Sequence, residues 1–174
     1  MTTKMNEYQP ILDLYQEVSK AQGADALMAA LAMIYVGIDT MAWLSLPIGC
    51  DEVNRTHFYD WVNTYFKADA AQPYQYVGID VYAARCALLH KYGSIAKLHQ
   101  QPNPPKTFGY LDNGSHRADD GQLVMISIAV LIRDFGRAIT AYLQAIQLDA
   151  NLKVRIDSRI DALMSSTWTV HKSS

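Results

Sequence analysis

Residues 26–46 read ALMAALAMIYVGIDTMAWLSL, in which Asp39 is the only charged residue. Apolar residues cover most of the circumference of a helix built from this segment, which is typical of a helix buried on nearly all sides. A membrane span is disfavoured, because an Asp near the centre costs about 2.5–3.5 kcal/mol on insertion scales and no Lys or Arg cluster flanks the segment. We therefore expect a central core helix that ends at Pro47 and Gly49, and no membrane span.

Apolar residues at helical spacing predict five further helices around this segment. They span residues 10–21, 52–66, 76–92, 119–148 and 150–164, and a short extension covers 94–99. Residues 102–105 cannot be helical because three of the four are prolines. An irregular stretch or a small hairpin around Asp112, Asn113 and Gly114 is expected at 106–117. We predict a single all-α domain over residues 1–174, an antiparallel bundle of about six helices.

The composition is that of one globular domain, because 174 residues can bury a core without disulfides. Half of the residues are hydrophobic and only 18% are charged, which excludes a disordered chain and favours self-association. Cys50 and Cys86 lie far apart in the sequence and form no CxxC pair, so neither a disulfide framework nor a zinc ribbon is encoded. With this cysteine usage and no signal-peptide pattern at the start, we expect a cytoplasmic protein.

Charge is unevenly distributed along the chain. The net charge of −2 and the pI near 6.2 argue against a protein that binds nucleic acid over its whole surface. Residues 85–117 nevertheless contain five Lys or Arg residues and one acidic residue, Asp112. This segment is compatible with a polyanion site, and equally with a solvated basic loop.

The predicted helix at 76–92 is apolar on two opposite sides. Its expected core stripe is Val77, Val81, Ala84 and Leu88, and the opposite side carries Ile79, Tyr82, Cys86 and Leu89. Only a narrow strip, Asp80, Ala87 and Lys91, is expected to face solvent. Such a helix has to be covered on both sides, by a neighbouring helix or by a second copy of the chain.

Arg85 and His90 lie five residues apart on this helix, about 140° around its axis, so they flank a groove. An imidazole can move a proton near neutral pH, whereas a guanidinium stays charged and binds phosphate through two hydrogen bonds. This pair suits phosphoryl transfer within RNA, where the 2′-hydroxyl needs a base, the leaving oxygen an acid and the phosphorane a cation. One histidine per chain supplies one proton-transfer group, and a twofold dimer would supply two.

Residues 80–90, DVYAARCALLH, resemble the R-x4-6-H signature of the HEPN superfamily in its RCxLLH form, and Gly93 follows them. Residues 55–65, RTHFYDWVNTY, are similar to the R-x-x-F-x-x-W-V-x-x-Y element that tends to precede this signature. Residues 35–42, YVGIDTMA, resemble the first core helix. Together these matches cover most of residues 30–95.

The resemblance implies an all-α bundle, commonly dimeric, in which the two motifs face each other. Active members are endoribonucleases of toxin–antitoxin or phage-defence systems that act without a metal or other cofactor. By position, Arg85 would bind or polarise the scissile phosphate, and His90 would act on the 2′-hydroxyl or the leaving group. The partners implied are a second copy, RNA and a cognate antitoxin or another protein.

Further residues are expected around this pair. Asp39, Cys86 and Tyr82 are predicted to support the site, and Lys91 and Lys97 to contact the substrate. Many active members carry Asn, Asp or His where this chain has Cys86, which favours the alternative of a catalytically inactive dimer that binds RNA, nucleotide or a protein. A purely structural helical subunit of a larger assembly is a third interpretation.

Each of these residues also has a structural explanation. His90 suits a helix C-terminus, where it would bind a last-turn carbonyl. Arg85 is the obvious ion-pair partner for Asp39, which would otherwise be uncompensated in an apolar helix. The two roles are compatible if Asp39 orients Arg85 at a site. For Cys86, a small buried hydrophobe is the alternative to a nucleophile.

Other motifs carry less chemistry. His57 and Asp60 could supply two metal ligands, but no third ligand has a credible spacing, so we predict a solvent-facing pair and no metal. His99, His116 and Arg117 lie in the basic segment, in contact with RNA or in a solvated loop. The sequence has no glycine-rich phosphate loop, GxSxG or HExxH motif, so it does not indicate a P-loop NTPase, an α/β-hydrolase or a zincin.

Overall fold

The computed structural model describes residues 7–67, 74–118 and 120–165, and these form six α-helices and one sheet of three strands. The helices are α1 (Gln9–Gly23), α2 (Leu27–Leu44), α3 (Arg55–Trp61), α4 (Gly78–Lys91), α5 (Ile128–Leu148) and α6 (Ala150–Ser165). The strands are β1 (Thr107–Leu111), β2 (Arg117–Ala118) and β3 (Leu123–Ser127). A π-helical turn, Val62–Phe66, extends α3, and a 3₁₀ turn, Lys97–Gln100, precedes β1.

Each predicted helix has a counterpart, and α3 begins three residues later than predicted because of its cap. The Asn54 side chain accepts hydrogen bonds from the backbone amides of Thr56 and His57 at 2.9 and 3.2 Å. His57 Nδ1 accepts from the Asn54 amide in return. This reciprocal capping box begins the helix at Arg55 rather than at residue 52.

The all-α prediction is wrong for residues 107–127, where the chain forms the sheet. Residues 123–127, predicted as the first turns of the long helix, are strand β3. Val124 and Ile126 alternate on its buried side, and such alternation stabilises a half-buried strand. Ser127 then caps α5, because its hydroxyl accepts from the Val130 amide at 3.3 Å.

The predicted hairpin at 106–117 does not form. β3 lies between β1 and β2, so the two strands that flank Gly114 are not neighbours. β1 pairs in parallel with β3, with Thr107 opposite Leu123, and β2 pairs antiparallel on the other edge. A parallel pair needs a crossover rather than a tight turn, and the stretch that contains β2 provides it.

The helix α2 occupies the centre of the core, as predicted. Ile34, Ile38 and Met41 are fully buried, and α2 packs against α1 and α5. Among the described helices, α2 alone is long and apolar enough to cross a membrane by length and composition, and half of its span is buried. Core helices of soluble proteins meet the same criterion.

Asp80 fixes the start of α4, although it was expected on a solvent-facing strip. Its side chain is 4% exposed. One carboxylate oxygen accepts from the Val77 amide at 2.8 Å and the other from the Lys106 amide at 2.7 Å. Asp80 therefore joins the N-terminus of α4 to the segment that leads into β1, where a carboxylate also complements the helix dipole. Ala87 is buried as well, and Lys91 alone of that strip is exposed.

Candidate functional site

The Arg85 guanidinium on α4 is held by the Asp39 carboxylate on α2. Arg85 Nε and Nη2 both donate to Asp39 Oδ2, at 2.8 and 2.6 Å. The two side chains are 21% and 28% exposed, so the pair is partly desolvated and open to solvent on one side. The predicted contact between Asp39 and Arg85 is confirmed. It explains why the core helix α2 carries a charge at all.

Electrostatics at this pair are set by burial and by the partner charge. Burial raises the pKa of the Asp39 carboxyl above its usual value, against the opposing effect of the hydrogen bond and charge of Arg85. For Arg85, burial alone would lower the pKa, but the hydrogen bonds and charges of Asp39 and, to a smaller extent, Cys86 together raise it. The guanidinium therefore stays charged at neutral pH.

His90 contacts the remaining edge of the same guanidinium. Arg85 Nη1 lies 3.2 Å from His90 Nε2. Because a guanidinium can only donate, Nε2 is the acceptor, and the proton of the neutral ring resides on Nδ1. Within residues 7–67, 74–118 and 120–165, no last-turn carbonyl accepts a hydrogen bond from His90. His90 therefore does not make the hydrogen bond to a last-turn carbonyl that was its structural explanation.

The exposed imidazole of His90 opens onto a cavity of about 450 Å³ between α4 and the 3₁₀ turn. Lys91 and Lys97, predicted to contact a substrate, both line this cavity. Arg55, at the start of α3, lines it as well, although the sequence prediction did not include Arg55 among the site residues. Its position at the head of the R-x-x-F-x-x-W-V-x-x-Y element was the available signal. Three cations and a neutral imidazole at one opening suit an anionic ligand.

Tyr82 and Cys86 form the wall beside this cavity. The Tyr82 ring lies 5.9 Å from the Arg85 guanidinium and packs edge-on against Phe58 and Tyr59. Burial, followed by the neighbouring Cys86, raises the pKa of Tyr82. The Cys86 sulfur is 4.0 Å from Arg85 Nη1 and the thiol is only partly buried, so it is a weak polar neighbour of the guanidinium and not a core residue.

A second cavity, of about 540 Å³, lies on the α2 side of Tyr82 and Arg85. It is lined by Asp39, Thr40, Trp43, Val53, Asn54, Tyr82, Arg85 and Leu163. Arg85 borders this cavity and contacts His90 at the mouth of the first. Tyr82 lines both cavities and separates the first from the ion pair between Asp39 and Arg85.

The apolar side of α4 opposite the core is partly open. Ile79 is 36% exposed and Val77, expected in the core stripe, is 46% exposed. Tyr82, Cys86 and Leu89 are only partly buried. The described part of one chain therefore leaves this face only partly covered.

Two of the other histidines are bound into the fold. His57 belongs to the capping box of α3, and no group of three metal-ligating side chains occurs among the described residues. His99 Nδ1 accepts from the Ala96 amide at 2.9 Å, and its Nε2 lies 3.3 Å from the Lys106 carbonyl. His99 therefore holds the 3₁₀ turn against the segment before β1.

Arg117 lies exposed on β2 and lines neither of the two cavities.

His116 is buried rather than part of a solvated loop. Its Nδ1 accepts from the Ser127 amide at 3.1 Å, so the proton of the neutral ring is on Nε2. That atom faces Asp134 Oδ2 at 3.6 Å, and both side chains are almost fully buried. Arg133 and Arg137 each approach the other Asp134 oxygen to 3.7 Å. Both ring nitrogens of His116 are engaged or enclosed, which makes it a structural residue.

Searches of the chain against models of protein families, against curated proteins and against solved structures find no match.

Proposed function

We propose that this protein is a metal-independent endoribonuclease that acts through Arg85 and His90 from both chains of a homodimer. The supporting observation is the continuous contact from Asp39 through Arg85 to His90 at the mouth of a cation-lined cavity. The pair combines a guanidinium fixed in orientation with a neutral imidazole in direct contact with it, and His90 lines the first cavity while Arg85 lines the second. These are the groups that cleavage of RNA by its own 2′-hydroxyl requires.

The contact between Arg85 and His90 suggests how a substrate would engage the site. A scissile phosphate would accept from Arg85 Nη1 and replace His90 as its partner, while Asp39 keeps the other edge of the guanidinium in place. His90 Nε2, freed of that hydrogen bond, would have a lone pair available for the proton of the 2′-hydroxyl. Arg55, Lys91 and Lys97 would neutralise the flanking phosphates.

A dimer is part of the proposal because one chain supplies a single imidazole at this opening. The incompletely covered side of α4, on which Ile79 is exposed and Tyr82, Cys86 and Leu89 are partly buried, supports a second copy packing there. The protonated His90 of that copy would donate to the leaving 5′-oxygen. Within this proposal the six helices are an antiparallel HEPN-like bundle. The protein is a cytoplasmic toxin or defence factor, and its partner is a cognate antitoxin or another protein.

One observation favours a second candidate, a catalytically inactive HEPN-like dimer that binds RNA, nucleotide or protein. The side chain next to the guanidinium is the Cys86 thiol at 4.0 Å, a weak hydrogen-bonding group. A site that only binds phosphate needs Arg85 and the surrounding cations but no proton transfer.

Cleavage of mixed RNA by the purified protein in EDTA separates these two functions. Wild type is compared with His90→Ala and with His57→Gln, a control that removes an imidazole outside the site and keeps an acceptor at the capping-box position. We expect cleavage by wild type and by His57→Gln, and about 10²–10⁴-fold less by His90→Ala, the usual range for a lost acid or base. Equal cleavage by all three, or none by any, contradicts the enzyme. A stable monomer by light scattering contradicts the composite site.

A further inference from the structure

The second cavity, bordered by Arg85 but separate from the basic opening beside His90, carries its own pattern of hydrogen-bonding groups. Its volume of about 540 Å³ lies within the range of ligand sites. Apolar surface comes from Trp43, Val53 and Leu163, and polar atoms come from Asp39, Thr40 and Asn54. A flat aromatic ring beside a few polar atoms is the usual composition of a nucleobase site.

The hydrogen bonds already made within the protein leave a defined set of polar atoms for a ligand. Asp39 Oδ2 takes both bonds from Arg85, and Oδ1 accepts none from the described residues. Thr40 donates its hydroxyl proton to the Val36 carbonyl at 2.9 Å, so its remaining capacity is that of an acceptor. The Asn54 side-chain oxygen is used in the cap of α3, which leaves its amide N–H groups as donors.

The cavity therefore offers acceptors on α2, at Asp39 and Thr40, and donors from the Asn54 amide and from the Trp43, Tyr82 and Arg85 side chains. Guanine presents the complementary edge, with the N1–H and N2–H₂ donors next to the O6 acceptor. Adenine and cytosine each present a single donor group on this edge, and uracil presents one donor between two acceptors. The Asp39 carboxylate is the most discriminating group, because guanine alone presents two adjacent donor positions, N1–H and N2–H₂, to neighbouring acceptors.

We infer that this cavity is a guanine-binding subsite, in which the base lies against Trp43 and is read by Asp39, Thr40 and Asn54. The inference rests on the proposed function in one respect: the nucleotide would be the one attached to the phosphate held by Arg85. The base would then select the position of the cut, and Trp43 would be a specificity-determining residue. Free guanine nucleotide presents the same edge and would bind the same atoms.

Binding is measured by isothermal titration calorimetry on the full-length His90→Ala protein, so that RNA stays intact. The probes are GMP, AMP, CMP and UMP, followed by short single-stranded RNAs that contain one G or none. We expect GMP to bind about tenfold more tightly than the others, since a site with paired donors and acceptors rejects bases that leave them unpaired. A preference for the G-containing RNA beyond that for GMP identifies RNA as the source of the base.

Variants outside the proposed catalytic pair test the assignment. Trp43→Ala should weaken GMP binding about tenfold, because loss of one stacking ring has an effect of this order, and Trp43→Phe should retain most of it. Asn54→Ser keeps an N-cap acceptor for α3 and removes the amide donor, so it should lower the preference for GMP over AMP. Circular dichroism of each variant establishes that it is folded.

The outcomes separate this inference from the proposed function. Equal affinity for the four nucleotides, no binding of any of them, or unchanged GMP binding by folded Trp43→Ala overturns the guanine subsite. If RNA is cut in a His90-dependent manner without preference for G, only the subsite is wrong. If GMP binds selectively and RNA is never cut, the subsite stands and the nuclease is wrong.

Discussion

Asp39 binds Arg85 through a single carboxylate oxygen, which accepts from both Nε and Nη2 and leaves Nη1 directed at His90. A side-on arrangement of this kind fixes the plane of the guanidinium without using all of its donors. Asp39 is thus a positioning residue for Arg85. Its location on the central core helix α2 makes that position rigid.

Replacing Asp39 tests this relationship. Asp39→Asn keeps an oxygen acceptor and removes the charge, so we expect the free energy of unfolding to fall by only about 1–2 kcal/mol, between the values for exposed and buried pairs. RNA cleavage, if present, should fall about tenfold, since the orientation of Arg85 is loosened. Urea unfolding and cleavage rates at fixed RNA provide the measurements.

A double-mutant cycle apportions the effect. Asp39→Ala, Arg85→Ala and the double variant should give a coupling energy of about 1–2 kcal/mol in urea unfolding. Additive losses would mean that the two side chains do not stabilise each other in solution. Lys20→Ala, which removes an exposed ion pair on α1, is the control.

Arg85→Lys addresses the geometry of the guanidinium rather than its charge. An ammonium cannot donate to Asp39 and to His90 from a planar fork, so the continuous contact is broken while the positive charge remains. We expect cleavage to fall about a hundredfold, as when one oriented donor to the transition state is removed. RNA affinity should fall by a smaller factor, because the positive charge is kept. Equal cleavage by Arg85→Lys and wild type would show that charge alone suffices. Fluorescence anisotropy with labelled RNA separates binding from chemistry.

The sequence predicted the parts of this site that depend on helical periodicity. The spacing of Arg85 and His90 and the unpaired charge of Asp39 could be recognised because each is a property of one helix. Arg55 was overlooked although it heads the R-x-x-F-x-x-W-V-x-x-Y element. The second cavity could not be recognised, since it depends on how α2, α4 and the start of α3 pack together. Asp80 was placed in solvent for the same reason: the backbone amide that it binds belongs to Lys106, twenty-six residues along the chain.

The sheet was missed because its decisive pairing is not local. Residues 123–127 continue the apolar pattern of α5, so their periodicity alone favours one long helix. Its parallel partner β1 is the neighbouring strand in the sheet, but β2 lies between the two strands in the sequence. Such pairing leaves no turn signal in the sequence. The Ser127 cap at the boundary was the one local sign that the helix begins later.

His116 provides a test of the sheet's attachment to α5. His116→Ala removes the acceptor of the buried Ser127 amide and leaves the buried Asp134 carboxylate without its nearest neighbour. We expect a loss of about 2–3 kcal/mol in the free energy of unfolding, the cost of a buried unpaired polar group. Thermal and urea unfolding measure it, with His57→Gln as the control histidine. A change within about 0.5 kcal/mol, the range for surface substitutions, would contradict this role.

The tyrosine pair that joins α2 to the sheet predicts a loss of stability in alkali. The Tyr35 and Tyr110 hydroxyls lie 2.9 Å apart, and burial raises the pKa of Tyr110 to about 12 and that of Tyr35 well above its usual value. Unfolded tyrosines lose their protons near about pH 10, so above that pH the folded state holds protons that the unfolded state has lost. Stability then falls by about 1.4 kcal/mol per pH unit for each such group.

The variant Tyr35→Phe/Tyr110→Phe removes both hydroxyls together and leaves neither unpaired. Above about pH 10 its unfolding free energy should decline less steeply with pH than that of wild type. The two slopes should differ by the contribution of roughly two protons. Urea unfolding at a series of alkaline pH values gives the slopes. Tyr92→Phe, which removes a hydroxyl from a ring that is 75% exposed, is the control, and identical slopes for the double variant and wild type would refute the assignment.

Gly78 sets the distance between α3 and α4 and thereby the position of Arg85. A Cβ at this residue would lie 2.6 Å from the Tyr59 carbonyl oxygen and 2.7 Å from its Cα, which are backbone atoms that cannot rotate away. Gly78→Ala should therefore push the two helices apart and cost about 1–3 kcal/mol, as overpacking usually does. Gly23→Ala is the matched control, because a Cβ there meets nothing within 4 Å. Since Tyr82 packs on Tyr59 and beside Arg85, Gly78→Ala should also lower RNA binding. Unfolding curves that superimpose for the two alanine variants would show that the helices adjust without cost.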